Sequence, residues 1–160
     1  MAKSNRISID TYRRQKATGR KRVQSDGRFS EHKSQCAFFD YINANCGKYP
    51  HWRTIAAIAN GARTSMTVAV RLKREGLRAG FPDIIAPFAR NRYHGLMIEM
   101  KTPANSPSQV QQDMIALLIA NGYAVVVCKS TDAAILTLNM YEAGESLDEL
   151  LYVKGKRMKK

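Results

Sequence analysis

The chain has 160 residues, of which 44% are hydrophobic, so it is long enough for one compact domain with its own core. The longest unbroken apolar run, residues 123–128, is too short to cross a bilayer, and the first residues lack the apolar stretch of a secretory signal. Its three cysteines have no CxxC spacing, which argues against a disulfide framework. We therefore expect a cytoplasmic protein without a membrane-spanning segment.

The charge balance is unusual, because 26 Lys and Arg against 13 Asp and Glu give a formal net charge of +13. Residues 1–28 carry nine basic and two acidic side chains, and residues 154–160 carry five basic and no acidic ones. Residues 29–153 are nearly neutral. We expect a flexible basic arm, a central domain and a basic tail. Since clustered cations neutralise phosphates, the ends favour nucleic acid as a partner, and a solubilising role is the alternative.

The first part of the central domain predicts two helices separated by a short strand. Apolar spacing predicts a helix over residues 31–45, and the short apolar segment 52–59 is typical of a strand. A second helix is predicted over residues 65–75, ended by Gly76. The residues expected on the inner faces of these two helices are Cys36, Phe39, Ile42 and Cys46, and Met66, Ala69 and Leu72.

Two further strands follow. Residues 83–88 and 96–101 have the composition of strands, and the polar linker 89–95 is short enough to join them as an antiparallel hairpin. Because side chains alternate between the two faces of a strand, Glu99 and Lys101 are expected to share one face.

The last part of the domain predicts a helix, a strand and a final helix. Ser106 and Gln109 fit a capping box, with Pro107 at the first helical position. The continuous apolar segment 123–129 is expected to be a central strand, and the final helix is expected to run to about residue 142. The residues expected on the inner face of the first of these helices are Val110, Met114, Leu117 and Leu118.

Chemistry-bearing residues gather around the predicted hairpin. Asp83 begins its first strand, so its carboxylate can lie beside Glu99, with Lys101 on the same face as Glu99. Two carboxylates can bind Mg²⁺ or Mn²⁺, and a nearby lysine can orient water or stabilise a phosphorane-like transition state. This set is suited to phosphodiester hydrolysis. From spacing alone, an ordinary ion pair on an exposed strand remains an equal alternative.

The motifs of the chain resemble those of VRR-NUC (virus-type replication-repair nuclease) domains. Pro82-Asp83 followed by Glu99-Met100-Lys101 is similar to the PD-(D/E)xK motif of that nuclease superfamily, and neighbouring stretches follow the family's order over about residues 30–142. The resemblance implies an α/β, restriction-endonuclease-like core in which helices flank a small mixed sheet.

The resemblance also implies roles for individual residues, by motif position. The expected catalytic residues are Asp83, Glu99 and Lys101. The expected metal ligands are Asp83, Glu99, the backbone carbonyl of Met100, and Glu31 from the first helix, with Gln109 at the edge of the site. For Glu31 and Gln109, a favourable helix dipole and helix capping are the respective structural alternatives.

By the same resemblance, the protein is expected to be a phage-type, Mg²⁺- or Mn²⁺-dependent endonuclease that cuts branched DNA such as four-way junctions. A homodimer is expected, because symmetric incision needs two sites related by a two-fold axis. The alternatives are a less selective nuclease acting on flaps, nicks or single strands, and a non-catalytic nucleic-acid-binding accessory protein. Residues 145–153 either form a dimer interface or pack on their own subunit. The expected DNA contacts are Arg63, Arg71, Lys73, Arg74 and Arg78.

Overall fold

A four-stranded mixed sheet lies at the centre of the computed structural model, which describes residues 31–58 and 65–152. The predicted basic arm, the basic tail and Arg63 lie outside the described residues. The predicted order of helices and strands is confirmed, with one 3-10 helix added. The elements are α1 (Glu31–Asn45), the 3-10 helix (Pro50–Thr54), β1 (Ala56–Ala57), α2 (Met66–Arg74), β2 (Ile84–Ala86), β3 (Leu96–Met100), α3 (Gln109–Ala120), β4 (Ala124–Cys128) and α4 (Thr131–Glu142).

The strands lie in the order β1-β2-β3-β4. β2 and β3 form the predicted antiparallel hairpin, with Ile84 opposite Ile98, and β3 pairs with β4 in parallel. The prediction that β4 is central is wrong, because β4 lies at the edge of the four strands. It is nevertheless fully buried, since α3 and α4 pack on it and Leu151 forms a bridge to Val126. Its continuous apolar sequence therefore reflects cover by helices and by this bridge.

Two hydrophobic clusters cover the two faces of the sheet. Along β3, Ile98 and Met100 belong to the larger cluster, whereas Met97 belongs to a smaller one with Ile115 of α3. Side chains alternate between faces along a strand, so Glu99 lies on the same face as Met97. The fold thus directs Glu99 toward the side of the sheet that α3 covers. The predicted small mixed sheet flanked by helices is confirmed.

The predicted inner faces of the helices are partly wrong. In α1, Phe38 and Ile42 are buried, whereas Cys36 is exposed. Met66 of α2 is 81% exposed, because α2 packs extensively against no other element of the described chain. The basic side chains of α2 are exposed as expected, and Gly76 has the positive φ of 104° that ends the helix. In α3, Val110 and Leu117 are exposed and Ile115 is the buried residue.

The segment predicted as a strand over residues 52–59 is divided between the end of the 3-10 helix, residues 52–54, and the two residues of β1, and residue 59 lies outside the described residues. Pro50 occupies the first turn of the 3-10 helix, and Trp52 is fully buried there. The proline ring fixes a φ that suits a helical first turn, so the backbone becomes extended only at Ile55 and β1 has two residues.

Residues 145–152 pack on their own subunit. Leu147 is fully buried in the larger cluster, and Leu151 forms the bridge to β4. Packing within the subunit accounts for both leucines, which agrees with one of the two predicted alternatives. No helix among residues 31–58 and 65–152 combines the length and apolarity needed to cross a membrane.

Candidate active site

The hairpin places Asp83 next to β3. Ile84 lies opposite Ile98, so one step further along the ladder puts Asp83 opposite Glu99. The Asp83 Oδ2 atom accepts a hydrogen bond of 2.8 Å from the backbone amide of Met100. The Asp83 carboxylate is therefore fixed at the end of β3 by the backbone of the ExK motif itself.

Glu99 and Lys101 share one face, as strand alternation predicts. The Lys101 Nζ atom lies 2.6 Å from the Glu99 Oε1 atom. Glu99 is fully buried and the Lys101 side chain is only 11% exposed, so this pair is not an exposed surface ion pair. The alternative of an ordinary pair on an exposed strand is excluded by this burial.

The two carboxylate oxygens of Glu99 have different surroundings. Oε1 accepts hydrogen bonds from Lys101 and from the side-chain amide of Gln111, whereas Oε2 is buried and has no partner within the described residues. Burial raises the pKa of Glu99 to about 7, with the negative charge of Asp83 adding to the rise and Lys101 opposing it. A buried carboxylate with one unpartnered oxygen is suited to binding a cation.

The pKa values of the two neighbouring groups, Asp83 and Lys101, are also raised. Burial raises the pKa of Asp83, although the Met100 amide and the Lys101 charge oppose the rise. Burial by itself lowers the pKa of Lys101, but the hydrogen bond to Glu99 and the surrounding carboxylates outweigh it, so the net pKa is raised. Lys101 is therefore an ammonium at neutral pH, surrounded by an excess of negative charge.

Glu31 reaches the same region from the first turn of α1. Its Oε1 atom accepts a hydrogen bond of 3.2 Å from the Thr102 amide and lies 4.0 Å from Lys101 Nζ. Across the described residues, no three His, Cys, Asp or Glu side chains converge as a metal-binding group. Glu31 thus lies beside Lys101, outside the pair formed by Asp83 and Glu99, and its role as a ligand stays a prediction.

The structure places Gln111, rather than Gln109, at the site. α3 begins at Gln109 with Ser108 as its N-cap, so the predicted capping box of Ser106 and Gln109 is wrong. Gln109 is exposed and donates to Asp113 at 2.7 Å. Residues 106–111 contain two overlapping S-x-x-Q patterns, and the second pattern was the signal that could have identified Gln111.

The chemistry of these donors fits a hard divalent cation. Asp83 and Glu99 provide two carboxylates, and the unpartnered Glu99 Oε2 atom is available to a ligand. Mg²⁺ is commonly held by one or two carboxylates while it keeps several waters, so two carboxylates are sufficient. The Met100 carbonyl, as a further ligand, stays a prediction.

A basic surface lies on α2 and on the segment that follows it in the chain. Its described members are all exposed, and only Arg71 has a carboxylate partner shown, Glu75 at 3.3 Å. From α2 the chain runs through Gly80 to Asp83. Gly80 has a φ of 79°, and a Cβ atom there would lie 2.5 Å from the Val110 carbonyl oxygen. The segment before Asp83 therefore contacts the first turn of α3 through backbone. The described members of this surface are Arg71, Lys73, Arg74 and Arg78.

Comparisons with known proteins indicate the family of this chain. The profile of the VRR-NUC domain matches residues 24–132, which is more than half of the chain. A solved structure described as a VRR_NUC domain protein is 30% identical and superposes with a TM-score of 0.63, covering 74% of this chain and 92% of its own. No curated protein matches the chain.

Proposed function

The chain belongs to the VRR-NUC family of PD-(D/E)xK-like nucleases, and we propose that it is a metal-dependent endonuclease that cuts branched DNA. The observation that carries the proposal is the buried Glu99 carboxylate, which has one unpartnered oxygen and lies between Asp83 and Lys101. Carboxylates repel a phosphate unless a cation lies between them, so a purely DNA-binding protein gains nothing from this cluster.

Asp83, Glu99 and the Met100 carbonyl are the proposed ligands of Mg²⁺ or Mn²⁺, with Glu31 at the edge. Such an ion supplies Lewis-acid stabilisation of the phosphate and lowers the pKa of a bound water. Lys101 keeps its proton because acidic groups surround it. We propose that its ammonium group donates to the attacking water or to a phosphate oxygen, and so stabilises the charge that develops there. The burial of Glu99 limits competing water around these groups.

The DNA backbone is proposed to bind the basic surface of α2. Lys73, Arg74 and Arg78 are exposed on the segment that leads to Asp83. Phosphates held there would lie along the approach to the site. The basic arm over residues 1–28, the tail over residues 154–160 and Arg63 are proposed to add contacts, because their cations release condensed counterions from DNA.

We propose that the protein cuts branched DNA as a homodimer. One chain supplies one cluster of Asp83, Glu99 and Lys101, so paired symmetric cuts at a junction require a second copy. A role in phage replication or repair, in the host cytoplasm, completes the proposal. The three free cysteines fit a reducing compartment.

A cleavage assay on matched substrates tests this proposal. The full chain is given a four-way junction, a flap, a nicked duplex, a plain duplex and a single strand, each with Mg²⁺, Mn²⁺ or EDTA. We expect metal-dependent, symmetric cuts confined to the junction, and a dimeric mass by light scattering.

The other outcomes separate the alternatives. Metal-dependent cutting of every substrate would keep the active site and reject the preference for junctions. Tight binding in EDTA without cutting under any condition would reject the enzyme and favour a non-catalytic accessory protein.

A further inference from the structure

We propose that Ser108 and Gln111 form a positioning pair that fixes the Glu99 carboxylate, so that the N-terminal cap of α3 is part of the cation site. This inference rests on the proposed function and deepens it. It assigns a role to two residues outside the PD-(D/E)xK motif, neither of which is proposed as a ligand.

The capping box fixes the orientation of the Gln111 amide. The Ser108 Oγ atom accepts from the Gln111 backbone amide at 3.4 Å, and the Gln111 Oε1 atom accepts from the Ser108 backbone amide at 2.9 Å. A glutamine side chain has an accepting end and a donating end. Since the accepting end is used by the Ser108 amide, the donating Nε2 atom points away from the cap, toward the sheet.

In this orientation Gln111 Nε2 donates to Glu99 Oε1. The same oxygen also binds Lys101 at 2.6 Å, so both donors act on Oε1, and Oε2 is left without a partner in the described part of the chain. The two donors thereby distinguish the oxygens of one buried carboxylate. We infer that they hold Oε1 in place and present Oε2 to the cation.

The position of α3 is linked to the second carboxylate as well. The close approach of Gly80 to the Val110 carbonyl joins the first turn of α3 to the segment that carries Asp83. A shift of this turn would therefore move Gln111 against Glu99 and disturb the approach to Asp83. One helix terminus contacts the surroundings of both proposed ligands.

The chain offers a matched control for the cap. Ser130 caps α4 in the same way, with its side chain accepting from the Ala133 amide at 3.1 Å. No glutamine completes that cap, and α4 packs on the other hydrophobic cluster. Ser130→Ala thus removes an equivalent helix cap without the link to Glu99.

The test is the affinity of the full-length, DNA-free chain for Mn²⁺, measured by calorimetric titration, together with urea stability. We expect Gln111→Leu to weaken Mn²⁺ binding about 10- to 100-fold, as loss of outer partners of a ligand does. Ser108→Ala is expected to weaken binding several-fold, and Ser108→Thr, which retains a capping hydroxyl, is expected to bind as the wild type does. Ser130→Ala is expected to lower stability as much as Ser108→Ala does, with unchanged affinity.

Two results would overturn the inference at different levels. If the wild type binds Mn²⁺ and cuts DNA, and Ser108→Ala and Gln111→Leu retain wild-type affinity, the positioning pair is rejected while the proposed function stands. If the wild type neither binds Mn²⁺ nor cuts any substrate, the proposed function and this inference both fail.

Discussion

Two partly buried charged clusters among the described residues differ in the hydrogen-bond partners and the pKa shifts of their carboxylates. The first, here called the site cluster, consists of Asp83, Glu99 and Lys101. In it, Glu99 Oε2 has no partner among residues 31–58 and 65–152, and burial raises the pKa of Glu99 to about 7. The second cluster surrounds Glu142 at the end of α4, and there both oxygens of the carboxylate are partnered.

The Glu142 cluster joins three parts of the fold. Arg90, from the hairpin linker, donates to Oε1 at 3.0 Å, whereas Trp52 at 3.0 Å and His51 at 2.8 Å bind Oε2. Burial by itself raises the pKa of Glu142, but the hydrogen bonds from Trp52, His51 and Arg90 outweigh it and lower the pKa. A carboxylate with this set of donors connects the 3-10 helix, the hairpin and α4.

The difference separates a structural carboxylate from a functional one. Glu142 is held by enough donors to remain charged without a ligand. Asp83 and Glu99 share one ammonium group with Glu31, so negative charge is in excess. Groups with such unfavourable surroundings persist where a ligand uses them, which favours a cation at the site cluster.

Substitutions within the site cluster are expected to have the largest effect. Asp83→Asn or Lys101→Met should reduce metal-dependent cleavage on the order of 10²- to 10³-fold, because each removes charge that acts on the reacting phosphate. Gel-based rates on the junction measure this. Junction binding in EDTA should persist, and the exposed-acid variant Glu145→Gln should cut normally. Wild-type rates in either site variant would reject the assignment.

The same chemical change should have opposite effects in the two clusters. In the metal-free protein at pH 8, Glu99→Gln should raise the free energy of unfolding by about 1–2 kcal/mol, because burial disfavours the Glu99 charge more than Lys101 stabilises it, and Glu31 remains beside Lys101. Glu142→Gln should lower it by about 1–2 kcal/mol, because the Arg90 guanidinium loses its negatively charged acceptor. Urea titrations in EDTA measure both values. Equal destabilisation by the two variants would contradict the contrast between the clusters.

The pH dependence of the free energy of unfolding should further distinguish the two clusters. Glu99 has a pKa of about 7 in the folded protein against an ordinary value of 4.5, so between these values the folded state retains a proton that the unfolded state releases. The free energy of unfolding of the metal-free protein should therefore fall as the pH rises through this window, by about 1 kcal/mol or more.

Glu142 should act with the opposite sign. Its pKa is lowered in the folded state, so its stabilisation is present above pH 4.5 and is lost as the pH falls through the folded value. Urea midpoints between pH 3 and 8 measure both effects. Glu99→Gln should remove the fall in stability as the pH approaches neutrality. Glu142→Gln should reduce the fall in stability at acid pH. An unchanged profile in both variants would contradict these assignments.

The smallest expected effect concerns the basic surface, where cations rather than carboxylates are in excess. Lys73→Ala or Arg74→Ala should weaken junction binding a few-fold and reduce the slope of log affinity against log salt by about 0.9 for each lost phosphate contact. Fluorescence anisotropy at several salt concentrations measures the slope. Arg71→Ala should have a smaller effect, because Arg71 already pairs with Glu75. Unchanged slopes would remove α2 from the DNA-binding surface.

Local patterns in the sequence were sufficient for most of the fold. The order of elements, the hairpin and the end of α2 at Gly76 follow from apolar spacing and turn residues. The inner face of α2 could not be predicted in this way, since Met66 is exposed although it fits an amphipathic pattern. Periodicity identifies an apolar stripe, but only the neighbouring elements decide whether something covers that stripe.

The sequence was enough to predict that Glu99 and Lys101 share a face, because strand alternation is a property of the backbone. Which glutamine contacts Glu99 depends instead on tertiary packing. Ser106 with Gln109 and Ser108 with Gln111 both fit the capping-box pattern, and Pro107 at the first helical position favours the first pattern locally, although the structure uses the second. The choice depends on where α3 packs against Gly80 and the sheet, which is a contact between segments that are distant in the chain.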